Sequence, residues 1–205
     1  MIEFVLKHRE DCGESRWAGG STREFFIYPE TSACASRDFE IRVSSASVLE
    51  DSSVFSDFTG FVRHIAVLSG TLCMIHGGVR EVSLGVCEAD TFDGGEETVS
   101  RGRCTDFNLI HVPSREGSIR PLAGVPGEAR IFGGYAGCCL HTGSAEAAVS
   151  EGDGSPAKTP LRVSLSAGDF FILKNQSPGV PVSLKISPSD HAVAVLFSVS
   201  GVKGA

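Results

Sequence analysis

Two arginines, an aspartate and an asparagine interrupt short apolar segments in the first half of the chain. Arg42 lies in FEIRVSSA (39–46), Arg63 in RHIAVLS (63–69), and Asp106 and Asn108 in TDFNLIHV (105–112). Guanidinium groups grip carboxylate or phosphate through paired N–H donors. A carboxylate holds a cation or takes a proton, and an amide offers both a donor and an acceptor. Side chains alternate across a strand, so residues two apart share a face. Arg42 therefore shares a face with Ser44 and Ala46, Arg63 with Ile65 and Val67, and Asp106 with Asn108 and Ile110. Charged side chains on sheets most often face water, and on alternation alone that reading comes first. Turned inward, the same residues would line a pocket for a small anion, and a buried Glu24 or Asp106 could act as a base.

The elements that must position these groups are strands. Glycine is frequent, at 24 residues, and short β-rich runs recur between turn signals with no sustained helical periodicity. Runs such as 2–7, 24–28, 80–84, 170–173, 182–186 and 192–199 read as strands. Ser69-Gly70 and Gly77-Gly78 read as tight connections. Residues 113–127, rich in proline and glycine, read as a loop. The small, acidic stretch GSAEAAVSEGDGSPAKTP (143–160) reads as a mobile insertion, with SAEAAVSE as a brief helix.

A chain of 205 residues with 41% hydrophobic and 21% charged residues is long enough for a core without staples. Its net charge of −7 weighs against nucleic-acid binding. Seven cysteines without a CxxC pair fit reduced thiols better than a disulfide framework. The N-terminus MIEFVLKHRED has no long apolar stretch, and no run reaches the ~20 apolar residues of a membrane span. The expectation is a cytoplasmic protein with no membrane partner.

The histidines, at 8, 64, 76, 111, 141 and 191, show no HxH or HxxxH spacing. Alternation places His64 and His111 away from the face carrying Arg63 and Asp106. No metal site and no cofactor is expected. There is no GxSxG, no phosphate-binding glycine loop and no supported Cys–His pair.

Five segments in order, WAGGSTRE (17–24), FEIRVSSASV (39–48), FSDFTGFVRHIAVLSG (55–70), TFDG (91–94) and TDFNLI (105–110), resemble the HutD/Ves family of cupin-like proteins. Thr22, Arg23 and Glu24 match its first motif, Arg42, Ser44 and Ala46 its second, Arg63 its third, and Asp106 to Asn108 its last. The chain departs from the pattern at Ile41, where tryptophan is usual, at Thr59 for proline, at Ile110 for methionine, and in a shortened segment between Trp17 and Thr22. The resemblance implies an all-β bicupin, two RmlC-like jelly-roll barrel halves in one chain. The halves are expected at about 1–112 and about 128–200. It also favours the inward reading of the polar face.

The resulting expectation is a protein that binds a small anionic metabolite, of carboxylate or acyl-amino-acid type, in a regulatory or sequestering role. Arg42, Arg63, Asp106, Asn108, Ser44, Thr22 and Glu24 are the candidate ligand-binding residues. The alternatives are a cupin enzyme acting on a small polar substrate, as isomerase or metal-assisted hydrolase or dioxygenase, and a pure interaction module. A monomer or homodimer is expected.

Overall fold

The computed structural model describes residues 1–152 and 160–200. The described residues form nineteen strands, two short 3-10 turns at Arg9–Asp11 and Cys34–Ser36, and no α-helix. In chain order the strands are β1 (Ile2–Lys7), β2 (Glu14–Trp17), β3 (Gly20–Tyr28), β4 (Ile41–Val48), β5 (Ser52–Val54), β6 (Val62–Gly70), β7 (Leu72–His76), β8 (Arg80–Leu84), β9 (Ala89–Asp93) and β10 (Thr98–Arg101). They continue as β11 (Cys104–His111), β12 (Gly117–Ala123), β13 (Gly127–Ile131), β14 (Gly134–Thr142), β15 (Ser144–Glu151), β16 (Leu161–Ser166), β17 (Phe170–Asn175), β18 (Val182–Pro188) and β19 (Val193–Val199).

Cys12–Pro113 form one compact unit. It pairs a six-stranded sheet, in the order β2-β3-β4-β11-β6-β9, with a four-stranded sheet, β5-β10-β7-β8. Its interior holds two apolar clusters. One gathers Ile65, Val67, Leu72, Met74 and Phe92, and the other gathers Phe39, Phe58, Phe61 and Ile110. Burying one such side chain contributes about 1.5–3 kcal/mol. The β7–β8 hairpin turns on Gly77 and Gly78, at φ +57° and +70°. Two consecutive left-handed residues make a hairpin turn that glycine adopts without steric cost.

The second unit comprises Met1–Asp11 and the described residues from Ser114 onward. Its sheets run β1-β17-β14-β19-β12 and β13-β18-β15-β16. Leu140, Phe171, Leu173, Leu184, Ile186 and the inward alanines Ala145 and Ala147 fill it.

Three expectations are corrected here. The first half does not begin at residue 1, because β1 pairs antiparallel with β17, Ile2 opposite Asn175 and Lys7 opposite Phe170. The segment 143–160 is not a loop or helix at its start. Ser144–Glu151 is β15, paired with both β16 and β18, and it buries Ala145, Ala147 and Val149 at every second position. Alanine has weak β-propensity, so the alternation carried little signal. The rest of that expectation falls partly on residues 153–159, outside the described residues. Residues 113–127 hold the strand β12, and Pro121 is tolerated there because β12 is a sheet edge.

Candidate anion-binding cavity

The six-stranded sheet brings the polar side chains together through its register. On the inner face, Ile110 of β11 stands opposite Arg42 of β4 on one side and Arg63 of β6 on the other. One rung along, Asn108 stands between Ser44 and Ile65, and the next places Asp106 between Ala46 and Val67. The outermost contribution comes from β3, where Glu24 lies opposite Ser44 and Thr22 opposite Ala46. A β-bulge shifts the register between Glu24 and Phe26. The extra residue lets Thr22, Glu24 and Ile27 all point inward despite their odd spacing.

These strands border a cavity of about 820 Å³ within the Cys12–Pro113 unit, of a size that holds a small metabolite. All seven residues singled out from the sequence, Thr22, Glu24, Arg42, Ser44, Arg63, Asp106 and Asn108, line it. The structure adds Trp17, Cys34, Arg37, Phe55 and Phe58. Phe55 and Phe58 lay within a matched motif but carried no strand pattern. Cys34 and Arg37 belong to the connection between β3 and β4, where neither spacing nor periodicity marks them.

Asp106 and Arg63 are both buried, at 2% and 9% exposure. Asp106 reaches Arg63 through an intervening amide. Asn108 bridges them: its Oδ1 accepts from Arg63 Nε at 2.9 Å, and its Nδ2 donates to Asp106 Oδ1 at 2.5 Å. The same Oδ1 accepts the backbone N–H of Ala46 at 3.2 Å. The guanidinium of Arg63 also lies 4.2 Å from the Phe55 ring centre, with Phe92 at 5.6 Å and Phe58 at 5.9 Å. Aromatic faces attract the cation and keep water from it.

Arg42 is held separately. Its Nε donates to Glu24 Oε2 at 2.7 Å and its Nη1 to Ser44 Oγ at 3.0 Å. Trp17 Nε1 donates to Thr22 Oγ1 at 3.2 Å, tying the β2–β3 hairpin to the cavity rim. Among the described residues, the terminal nitrogens of Arg63 and the second terminal nitrogen of Arg42 have no protein acceptor. Asp106 Oδ2 likewise has no protein donor. The cavity therefore offers N–H donors in fork geometry beside one acceptor.

Burial dominates the electrostatics. It pushes the Asp106 carboxyl up to about 6, against the opposing pull of Arg63, the Ala46 N–H and Asn108. It pulls Arg63 down to about 10, with Asp106 opposing and Arg42 adding to the fall. The two shifts agree in meaning: each charge loses more from desolvation than it gains from the other.

On the opposite face, His64 and His111 meet Nε2 to Nε2 at 3.0 Å. The Val112 carbonyl only accepts, so the His111 Nδ1 at 2.9 Å from it carries a proton. In the neutral pair His64 Nε2 then donates to His111, and His64 Nδ1 accepts from Thr91 Oγ1 at 2.8 Å. Burial and His111 pull His64 down to about 4.

Catalytic cupins carry a metal inside the barrel. No group of three or more His, Cys, Asp or Glu side chains that could hold a metal ion occurs among the described residues. The cavity wall instead presents two guanidinium groups, which repel a cation. These residues do not fit a resident metal.

Comparison with known proteins agrees with this architecture. No curated protein matches the sequence. Among solved structures the chain is similar to PA5104 of Pseudomonas aeruginosa PAO1, described as a conserved protein of unknown function, with 22% identity, a TM-score of 0.78, and 97% of this chain and 100% of that chain covered. It is similar to HutD of Pseudomonas fluorescens SBW25, with 19% identity, a TM-score of 0.70, and coverage of 97% and 98%. The oxalate decarboxylase of Lactobacillus farciminis shares 7% identity at a TM-score of 0.61, covering 95% and 85%. The fold is thus a cupin fold with two barrel halves. The family model described as HutD matches residues 9–194, and the chain belongs to the HutD family.

Proposed function

We propose that the protein binds a small anionic metabolite, of carboxylate or acyl-amino-acid type, and acts by regulation or sequestration without covalent turnover of that ligand. One observation carries this reading: the buried Arg63 guanidinium faces the cavity with both terminal nitrogens lacking a protein acceptor. A buried cation in that state lowers its free energy by taking an anion. Arg42 supplies a second donor, Ser44, Asn108 and Thr22 neutral hydrogen bonds, and Asp106 Oδ2 an acceptor for a ligand N–H or O–H. The HutD neighbour was solved in a formate condition and the oxalate decarboxylase neighbour as a formate complex, and formate belongs to the class of small carboxylates this reading assigns to the site. We place the protein in the cytoplasm, as a monomer or homodimer.

The test is a thermal-shift screen of amino acids, acyl-amino acids and dicarboxylates, with Arg42→Ala/Arg63→Ala as the control. A ligand at a hundred times its Kd adds about 2.7 kcal/mol of apparent stability. The expected result is a shift in the wild type that the double variant loses while remaining folded by circular dichroism. A double variant that cannot fold would make the arginines structural and defeat the reading.

A second reading, a cupin enzyme, is favoured by Asp106, whose buried carboxyl titrates near 6 with one oxygen open to the cavity. Exchange of a ligand's carbon-bound hydrogen in deuterated water, absent in Asp106→Asn, would select it.

A further inference from the structure

Cys34 lines the same cavity as Arg42 and Arg63. It begins the 3-10 turn Cys34–Ser36 and packs against the cluster of Phe39, Phe58, Phe61 and Ile110. Ile110 is the residue standing between Arg42 and Arg63 in the sheet register. A thiolate at Cys34 would be close enough to Arg63 for its charge to favour that guanidinium.

Arg37 fixes the turn. Its Nη1 donates to the Cys34 sulfur at 3.4 Å and to the Cys34 carbonyl, and its Nε donates to the Asp57 carbonyl at 3.1 Å. The guanidinium lies 3.9 Å from the Phe58 ring centre. The loop that carries Cys34 is thereby pinned to the loop that carries Phe58, with the sulfur held at the cavity wall.

The other thiols are situated differently. Cys12, Cys104, Cys138 and Cys139 are buried. Cys73 and Cys87 are half-buried like Cys34 but do not line this cavity, and the Cys73 sulfur faces Glu81 at 3.5 Å, a carboxylate that repels anions. Cys34 shares its cavity with the buried Arg63, whose terminal nitrogens lack a protein acceptor, and that pairing of thiol and open guanidinium sets it apart.

We propose that Cys34 is a covalent-modification site inside this cavity, selective for electrophiles that carry a carboxylate. The inference rests on the anion-binding reading above and goes beyond it. The arginines draw the reagent's carboxylate and leave its reactive carbon beside the sulfur, raising the local concentration. With a haloacid, the deprotonated sulfur attacks the halogen-bearing carbon. The S–C bond forms, the carbon–halogen pair departs as halide, and the thiol proton goes to water. With an α,β-unsaturated dicarboxylate, the sulfur adds to one alkene carbon. The π pair moves to the other, which takes a proton from water.

The test compares iodoacetate with iodoacetamide on the full chain at one pH and ionic strength, following Cys34 and Cys73 by peptide mass spectrometry. The Cys34-to-Cys73 rate ratio should be about tenfold higher with iodoacetate, the low end of electrostatic focusing. Succinate, at matched ionic strength, should slow carboxymethylation of Cys34 and leave Cys73 unaffected. Cys34→Ser should remove the selective adduct. Equal ratios for the two reagents would overturn the proposal. Fluorescence of Trp17, the chain's single tryptophan and a cavity-lining residue, separates this failure from that of the broader reading. A response to succinate with equal labelling ratios leaves anion binding standing and defeats the Cys34 site. Selective labelling that succinate does not slow would also overturn the proposal, because the arginines would then not be what draws the carboxylate.

Discussion

Asn108 joins the two buried charges of the cavity: it accepts from Arg63 Nε at 2.9 Å and donates to Asp106 Oδ1 at 2.5 Å. Neither charge reaches the other directly, so the amide aligns both. Asn108→Ala would leave a buried guanidinium N–H and a carboxylate oxygen each short of a partner. It should destabilise the protein by about 1–3 kcal/mol in urea unfolding, the range for a buried polar group losing its partner. Anion affinity, measured by Trp17 fluorescence, should fall about tenfold. A variant as stable as the wild type would show that water replaces the amide and that the bridge is dispensable.

Two buried groups oppose each other in acid. Asp106 has its carboxyl raised to about 6, so the native state holds that proton more tightly than the unfolded chain. Its destabilising contribution is absent below the unfolded value, near pH 4, and complete above about pH 6. His64 is lowered to about 4, so the unfolded chain takes up its proton first. Its stability is present above about pH 6.5 and is lost as the pH falls toward 4. Each effect amounts to about 3 kcal/mol, and in the wild type they nearly cancel between pH 4 and pH 6.5. Asp106→Asn should therefore lose about 3 kcal/mol relative to the wild type on acidification, and His64→Gln should gain about as much. Urea midpoints at pH 6.5 and pH 4 decide it. Parallel pH profiles for all three proteins would refute the cancellation.

Glu24 occupies one edge of Arg42, Oε2 to Nε at 2.7 Å, at the cavity wall. Glu24→Gln keeps an acceptor for that N–H and removes a negative charge facing an incoming anion. Anion affinity should rise several-fold, about 3- to 10-fold, with the gain shrinking at high salt. Weaker binding would mean that the full carboxylate is needed to aim Arg42.

Gly20 opens β3 against the partner strand so closely that an added Cβ would lie 1.9 Å from the Ser47 carbonyl oxygen. That neighbour is backbone and cannot rotate away. Gly20→Ala should shift the start of β3, which carries Thr22 and Glu24. A loss of about 1–3 kcal/mol is expected by urea unfolding, together with weakened anion binding. Gly179→Ala, outside the cavity lining and with nothing within 4 Å of the added carbon, serves as the neutral control.

The sequence by itself determined the strand class of most segments and the faces on which their polar groups lie. Alternation is local: Arg42 with Ser44, and Asp106 with Asn108, had to share faces once those segments were extended. The ordered motifs pointed to the cupin architecture and to the same seven residues. Only the tertiary structure decided which strands are neighbours, because β4, β11 and β6 adjoin through hydrogen bonds between residues far apart in the chain. That pairing sets Arg42 and Arg63 on either side of Ile110, and the bulge after Glu24 turns β3 inward. The strand at Ser144–Glu151 also needed partners on both sides to emerge from a weakly β-forming sequence. The altered proton affinities of Asp106, Arg63 and His64, and the place of Cys34 in the cavity wall, have the same origin. Desolvation depends on every neighbour that excludes water, and no local pattern records them.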